Sequence, residues 1–176
     1  MEIKRFNELS KEELDFIIDI HFNHWVKYNP KMIKDNTIYK FSKLYTKNEL
    51  PFGIALLDEN KNIVGFCVFK IENLKKYPEI YPWLSDVMIL EQYRGKGYGK
   101  LLLYYGERIL KDFGYDTIYV WTDQAPDFYK KLGFVYKQEV EKNEGGYGKL
   151  IHSFLGRLIT RTGACLRIPL ARFCIP

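Results

Sequence analysis

Three glycines alternate at Gly95, Gly97 and Gly99, after an apolar run at 83–90 and before a stretch with helical periodicity from 97 to 113. This placement constrains the fold more than any other feature of the chain. Glycine admits backbone dihedrals closed to other residues and lets the backbone approach a ligand closely. The first N–H groups of the helix that follows have no partner inside it, and the helix dipole favours negative charge at that end. A strand–glycine–helix turn of this kind is a site for an anionic group such as a phosphate.

The remaining elements are read from periodicity. Residues 1–6 form a short strand, and Asn7 or Ser10 caps a helix carrying Leu14, Ile17, Ile18, Phe22 and Trp25 at helical spacing. Asn29-Pro30 ends that helix, and a weaker helix follows from 30 to 45. A hairpin comprises Gly53–Leu57, a turn at 58–62 and Ile63–Ile71. Residues 72–82, with two prolines, form a loop before a strand at Trp83–Leu90. Gly114 terminates the helix after the glycine cluster. Strands at Thr117–Thr122, Phe134–Val140 and Lys149–Phe154 complete the chain, with a short helix at Asp127–Leu132. The order β-α-α-β-β-β-α-β-α-β-β describes an α/β (α+β) domain, a mixed sheet of about six to seven strands with helices on both faces.

Composition narrows the function classes. The chain of 176 residues fits one domain. It has no run of about 18 apolar residues that would span a membrane, and its start lacks the apolar segment of a secretory signal. A cytoplasmic protein is therefore expected. The net charge of +5 is unevenly spread, since residues 1–155 hold 23 basic and 22 acidic residues. A nearly neutral body gives no field for a nucleic-acid backbone. All twenty Lys fall in 1–155, whereas 156–176 holds four Arg, no Lys and two of the three cysteines. That usage points to a tail foreign to the domain, read-through or vector-encoded, with a native basic arm as the alternative. Cys67 lies in an apolar run and reads as a buried thiol. His21, His24 and His152 form no zinc pattern, so no metal is expected.

The glycine cluster fits neither of two common phosphate motifs. A P-loop needs glycine and Ser/Thr where Arg94 and Leu101 stand. The dinucleotide fingerprint needs G-x-G-x-x-G, and this run is G-x-G-x-G. Arg94-Gly95-Lys96-Gly97-Tyr98-Gly99 instead matches [Q/R]-x-x-G-x-[G/A], and Asp127-Phe-Tyr-Lys-Lys-Leu-Gly-Phe134 follows in the right order. Together they resemble the GNAT superfamily of N-acetyltransferases, over roughly 1–155. The resemblance implies the GNAT fold, with splayed strands forming an acetyl-CoA cleft. It also implies transfer of an acetyl group from acetyl-CoA to a primary amine by direct attack in a ternary complex. Arg94, Gly95, Lys96, Gly97, Tyr98, Gly99 and Lys100 would hold the pyrophosphate, and backbone groups of Val87, Met88 and Ile89 the pantetheine arm and carbonyl.

Tyr129 matches the tyrosine that relatives place near the CoA sulfur as general acid; the alternative is an aromatic packed on the sheet. Asp86, on the strand entering the cofactor site, stands where relatives handle the amine proton; the alternative is a solvent-facing strand residue. Tyr81, Trp83, Trp121 and Trp25 are candidates to line the acceptor pocket, although strand aromatics also serve as core. His21 and His24, three apart, share a helix face. A non-catalytic CoA-binding module and a protein or peptide N-acetyltransferase are the alternative functions. The acceptor is a small-molecule or peptide amine, no nucleic-acid or membrane partner is expected, and many relatives form homodimers.

Overall fold

The computed structural model describes residues 1–45, 49–123, 125–143 and 145–155. The Arg-rich tail, 156–176, lies outside the described residues. Four helices, α1 (Lys11–Trp25), α2 (Lys34–Ser42), α3 (Tyr98–Asp112) and α4 (Pro126–Lys131), flank seven strands. These are β1 (Glu2–Arg5), β2 (Phe52–Leu57), β3 (Ile63–Lys70), β4 (Trp83–Ile89), β5 (Thr117–Thr122), β6 (Val135–Glu141) and β7 (Tyr147–Phe154). They form one sheet in the order β1-β2-β3-β4-β5-β7-β6. Every neighbour is antiparallel except β4 and β5.

Local chemistry explains the boundaries. Ser10 caps α1, its Oγ accepting from Glu13 N at 3.1 Å while Ser10 N donates to Glu13 Oε2 at 2.8 Å, a reciprocal box that satisfies two otherwise orphaned donors. Helix α3 ends at Gly114, φ +85°. The next amide, Tyr115 N, reaches Leu110 O at 3.0 Å, which closes the helix in the six-to-one manner that glycine permits.

The sheet separates two cores. Ile54 and Leu56 of β2, with Cys67 and Phe69 of β3, join Leu101, Leu102, Leu103 and Leu110 of α3 and Tyr129 of α4 on one face. Ala55, Leu57, Phe66 and Val68 join Leu14, Ile17 and Ile18 of α1 and Phe41 of α2 on the other. This is the two-residue period of strands buried on both faces. A third cluster forms where the 72–82 loop lays Leu74 and Ile80 over Trp83, Val140 and Leu150.

Helix α3 lies close on the sheet at Gly106, where an added Cβ would stand 2.0 Å from Phe69 Cζ. Phe69 is itself stacked on Phe52, with centroids 4.7 Å apart, so its ring has little room to yield. Gly106→Ala should cost about 3 kcal/mol through overpacking, read as a lower urea midpoint. An unchanged midpoint would mean that α3 does not ride on Phe69.

Candidate functional site

Strands β4 and β5 run side by side at one register position alone, Trp83 opposite Tyr119, with Tyr119 N bonded to Pro82 O at 2.9 Å. Beyond it the two strands part. The β4 edge facing β5 therefore carries backbone polar groups without a strand partner, a cost that a bound extended chain would offset. On its other side β4 pairs with β3, and the register shifts between Phe66 and Val68. Asp86 sits at that bulge with φ +49°. The insertion resets the alternation, and Leu84, Val87 and Ile89 all reach the α3 face. Bulges of this type re-aim side chains and cluster beside active sites.

At the end of β4 a short 3₁₀ turn, Glu91–Tyr93, leads into the glycines. Arg94 Nε donates to Ile89 O at 3.1 Å, and Tyr93 Oη donates to Asp58 Oδ2 at 2.9 Å in the β2–β3 turn. The turn is thus held from both sides. Gly97 precedes α3 at φ +80°, ψ 4°, with no side-chain cap on the helix. Gly95 has φ +74°, and a Cβ at either position would meet nothing within 4 Å. Glycine is required at these two positions by dihedral rather than by space. The amides of Tyr98, Gly99 and Lys100 precede the first bond inside α3, Leu101 N to Gly97 O at 3.2 Å, and no side chain caps this fifteen-residue helix, an arrangement that fits a phosphate. Lys96 Nζ lies over the Tyr93 ring, 5.8 Å from its centre.

The second signature meets the first in space. A Cβ at Gly99 would stand 3.2 Å from Phe128 Cζ, so α4 abuts the first turn of α3. Tyr129, next to Phe128, is buried at 8% exposure, its ring edge-on to Phe134 at 5.4 Å. Burial, and then the nearby Cys67 and Asp86, push its phenol above the ordinary value. A proton is retained there at neutral pH.

Asp86 is enclosed by Lys70 and His21. Lys70 Nζ lies 2.6 Å from Oδ2, and His21 Nε2 lies 3.3 Å from Oδ1. Ser85 Oγ is 3.2 Å from both Asp86 Oδ2 and Lys70 Nζ. Burial alone would raise the carboxyl, but Lys70 and His21 overcome it and hold Asp86 well below the usual carboxylate range. A carboxylate held so low is a weak proton acceptor.

The aromatic candidates divide. Trp83 is 0% exposed in the third cluster and is a core residue, because the 72–82 loop closes over it. Tyr81 is 46% exposed and edge-on to Tyr115 at 6.2 Å. It precedes the β4–β5 pairing point, so it lies on the closed side, away from the split. Trp121 follows that point on β5, half-buried against the third cluster. Trp25 is half-buried on α1 with its Nε1 enclosed and unpartnered among the described residues. Lys70 and His21 are the members that sequence reasoning did not assign to the site. Lys70 closes an apolar strand, where a lysine reads as solvated, and His21 reads as a helix-face residue.

Comparison with known proteins gives concordant results. A β-lysine N(6)-acetyltransferase of Methanococcus maripaludis is 24% identical over 168 residues, 81% of this chain and 60% of the relative. The chain thus spans about 60% of that protein's length. An N-alpha-acetyltransferase of Sulfurisphaera tokodaii is 31% identical over 121 residues, 62% of this chain and 71% of the relative. An aminoglycoside 6'-N-acetyltransferase complexed with coenzyme A superposes with a TM-score of 0.70 at 17% identity, over 88% of this chain and 97% of that one. Spermidine N-acetyltransferase from Vibrio cholerae, in complex with CoA and spermine, gives 0.65 at 17%, over 90% and 97%. At these identities the solved structures establish the fold. The family model described as acetyltransferase (GNAT) matches residues 14–134. That span takes in the split strands and both signatures around them, and the chain belongs to the acetyltransferase (GNAT) family.

Proposed function

We propose that this chain is an acetyl-CoA-dependent N-acetyltransferase acting on the primary amine of a small molecule. The observation that carries the reading is the parting of β4 from β5 beside the uncapped start of α3. An extended arm fits the first and an anion fits the second. Bound acetyl-CoA supplies the acetyl group as a thioester with a good leaving group. Gly95, Lys96, Gly97, Tyr98, Gly99 and Lys100 offer backbone amides and two ammonium groups to its pyrophosphate, with Arg94 bracing the turn. The unpaired β4 edge at Val87, Met88 and Ile89 offers backbone donors to the arm and to the carbonyl oxygen, which become more valuable as charge develops there.

Tyr129 Oη carries the proton for the departing sulfur, its pKa kept high by burial. Asp86 is a fixed negative charge rather than the base in this reading. Held below the usual range by Lys70 and His21, it positions these groups and leaves the acceptor's proton to water. The amine relatives support a small-molecule acceptor: the names of those proteins specify β-lysine, an aminoglycoside and spermidine.

The test is thiol release from acetyl-CoA with an amine panel. Amine-stimulated release, with N-acetylated product by mass spectrometry, is expected. The rate should rise with pH toward the acceptor's own pKa, about 10 for an alkyl amine. Tight CoA binding with no transfer to any amine or peptide N-terminus would instead support a non-catalytic module.

A further inference from the structure

The charges around the split bear on which amines the site accepts, an inference that rests on the transfer reading above. Asp86 is not open to an arriving ammonium group, because Lys70 and His21 already face its two oxygens. Further along α1 the surface turns basic. A cavity of about 210 Å³ lies between α1 and the end of β4, its walls including Asn23, His24, Lys27, Met88, Glu91 and Arg94. Three of these are basic, and Glu91, exposed at its rim, is the one acidic lining residue.

Lys27 and Arg94 both lie close enough to act on His24. Burial lowers His24, and Lys27 and Arg94 lower it further. That lowering keeps His24 neutral near pH 7, so Lys27 and Arg94 are the charged basic residues of the lining, and both favour an anion in the cavity. His24 stands three residues beyond His21 on α1, about 4.5 Å along the helix axis, and Lys27 follows in the turn after the helix. The His24 wall of the cavity therefore lies roughly one helical turn from His21, the residue that contacts Asp86, a span that a chain of a few methylenes covers.

We propose that this cavity receives the carboxylate of the acceptor, which makes the substrate an amino acid with a side-chain amine rather than a polyamine or aminosugar. A polycation brought here meets Lys27 and Arg94 with like charge. A zwitterionic acceptor places its carboxylate on the α1 cluster and its amine toward the split.

Matched acceptors provide the test: lysine, lysinamide and cadaverine present the same alkyl amine with a free carboxylate, a neutral amide and neither group. Spermidine and an aminoglycoside complete the panel. Lysine should exceed cadaverine in kcat/KM by about tenfold or more, chiefly through KM. Lys27→Gln should raise KM for lysine several-fold while KM for cadaverine and for acetyl-CoA stay in place. Equal or better use of the carboxylate-free amines overturns the inference and leaves acetyl transfer standing. So does a Lys27→Gln effect confined to the KM for acetyl-CoA, which would assign the cluster to the donor's phosphates. Thiol release that no amine stimulates overturns the transfer reading and this inference with it.

Discussion

Tyr129→Phe is expected to lower kcat about a hundredfold and to leave the KM for acetyl-CoA nearly unchanged. The substitution removes one oxygen from a ring buried at 8% exposure, whose edge-on contacts with Phe128 and Phe134 do not involve that oxygen. Fold and cofactor cleft should therefore persist, and the loss should fall on the step in which the sulfur takes a proton. The phenol holds its proton at neutral pH, and the proposed role asks it to give that proton up to the sulfur. Single-turnover rates with a saturating amine provide the check. A wild-type kcat would leave Tyr129 as a packed aromatic and nothing more.

The second large effect is expected at the ion cluster. Lys70→Met should cost about 2–3 kcal/mol, below the range for fully buried pairs because the two side chains retain 27% and 17% exposure. Without Lys70, burial dominates and Asp86 moves up toward protonation. Asp86→Asn should also destabilise, and the double variant should cost clearly less than the two singles together, since the partners interact. The pH dependence follows the same logic. A carboxyl whose folded value is depressed contributes stability above its unfolded pKa, about 4, and loses it as pH falls through the folded value. Wild-type Tm should thus fall below about pH 4 more steeply than that of Asp86→Asn. Additive single and double costs, or identical acid profiles, would remove the pair from the account.

Much of the fold was legible because its signals are local. Ser10 with Glu13, Gly114 after α3, and the two-residue period of β2 and β3 each specify an element from a few neighbouring residues. The glycine turn was legible for the same reason. The Asp86 bulge was not, since a bulge exists only relative to a partner strand, and nothing in the β4 residues Trp83-Leu-Ser-Asp-Val-Met-Ile89 marks it. Nor were the partners of Asp86, which lie 16 and 65 residues away in sequence, at Lys70 and His21. Trp83 shows the limit of reading aromatics: its strand enters the site, yet Leu74 and Ile80 from the preceding loop enclose it. Asp86 was identified by position, but its protonation behaviour depends on groups that only the fold assembles.

The central claim, that the parted strands and the uncapped α3 form the donor site, is tested most directly by calorimetric titration with coenzyme A. Wild-type protein should bind one equivalent. Gly97→Val, which forces a β-branched residue to φ +80°, should weaken binding by about tenfold or more, because the strain of about 1–2 kcal/mol is relieved only by moving the amides that face the pyrophosphate. Equal affinity in the two proteins, or none in the wild type, would contradict it.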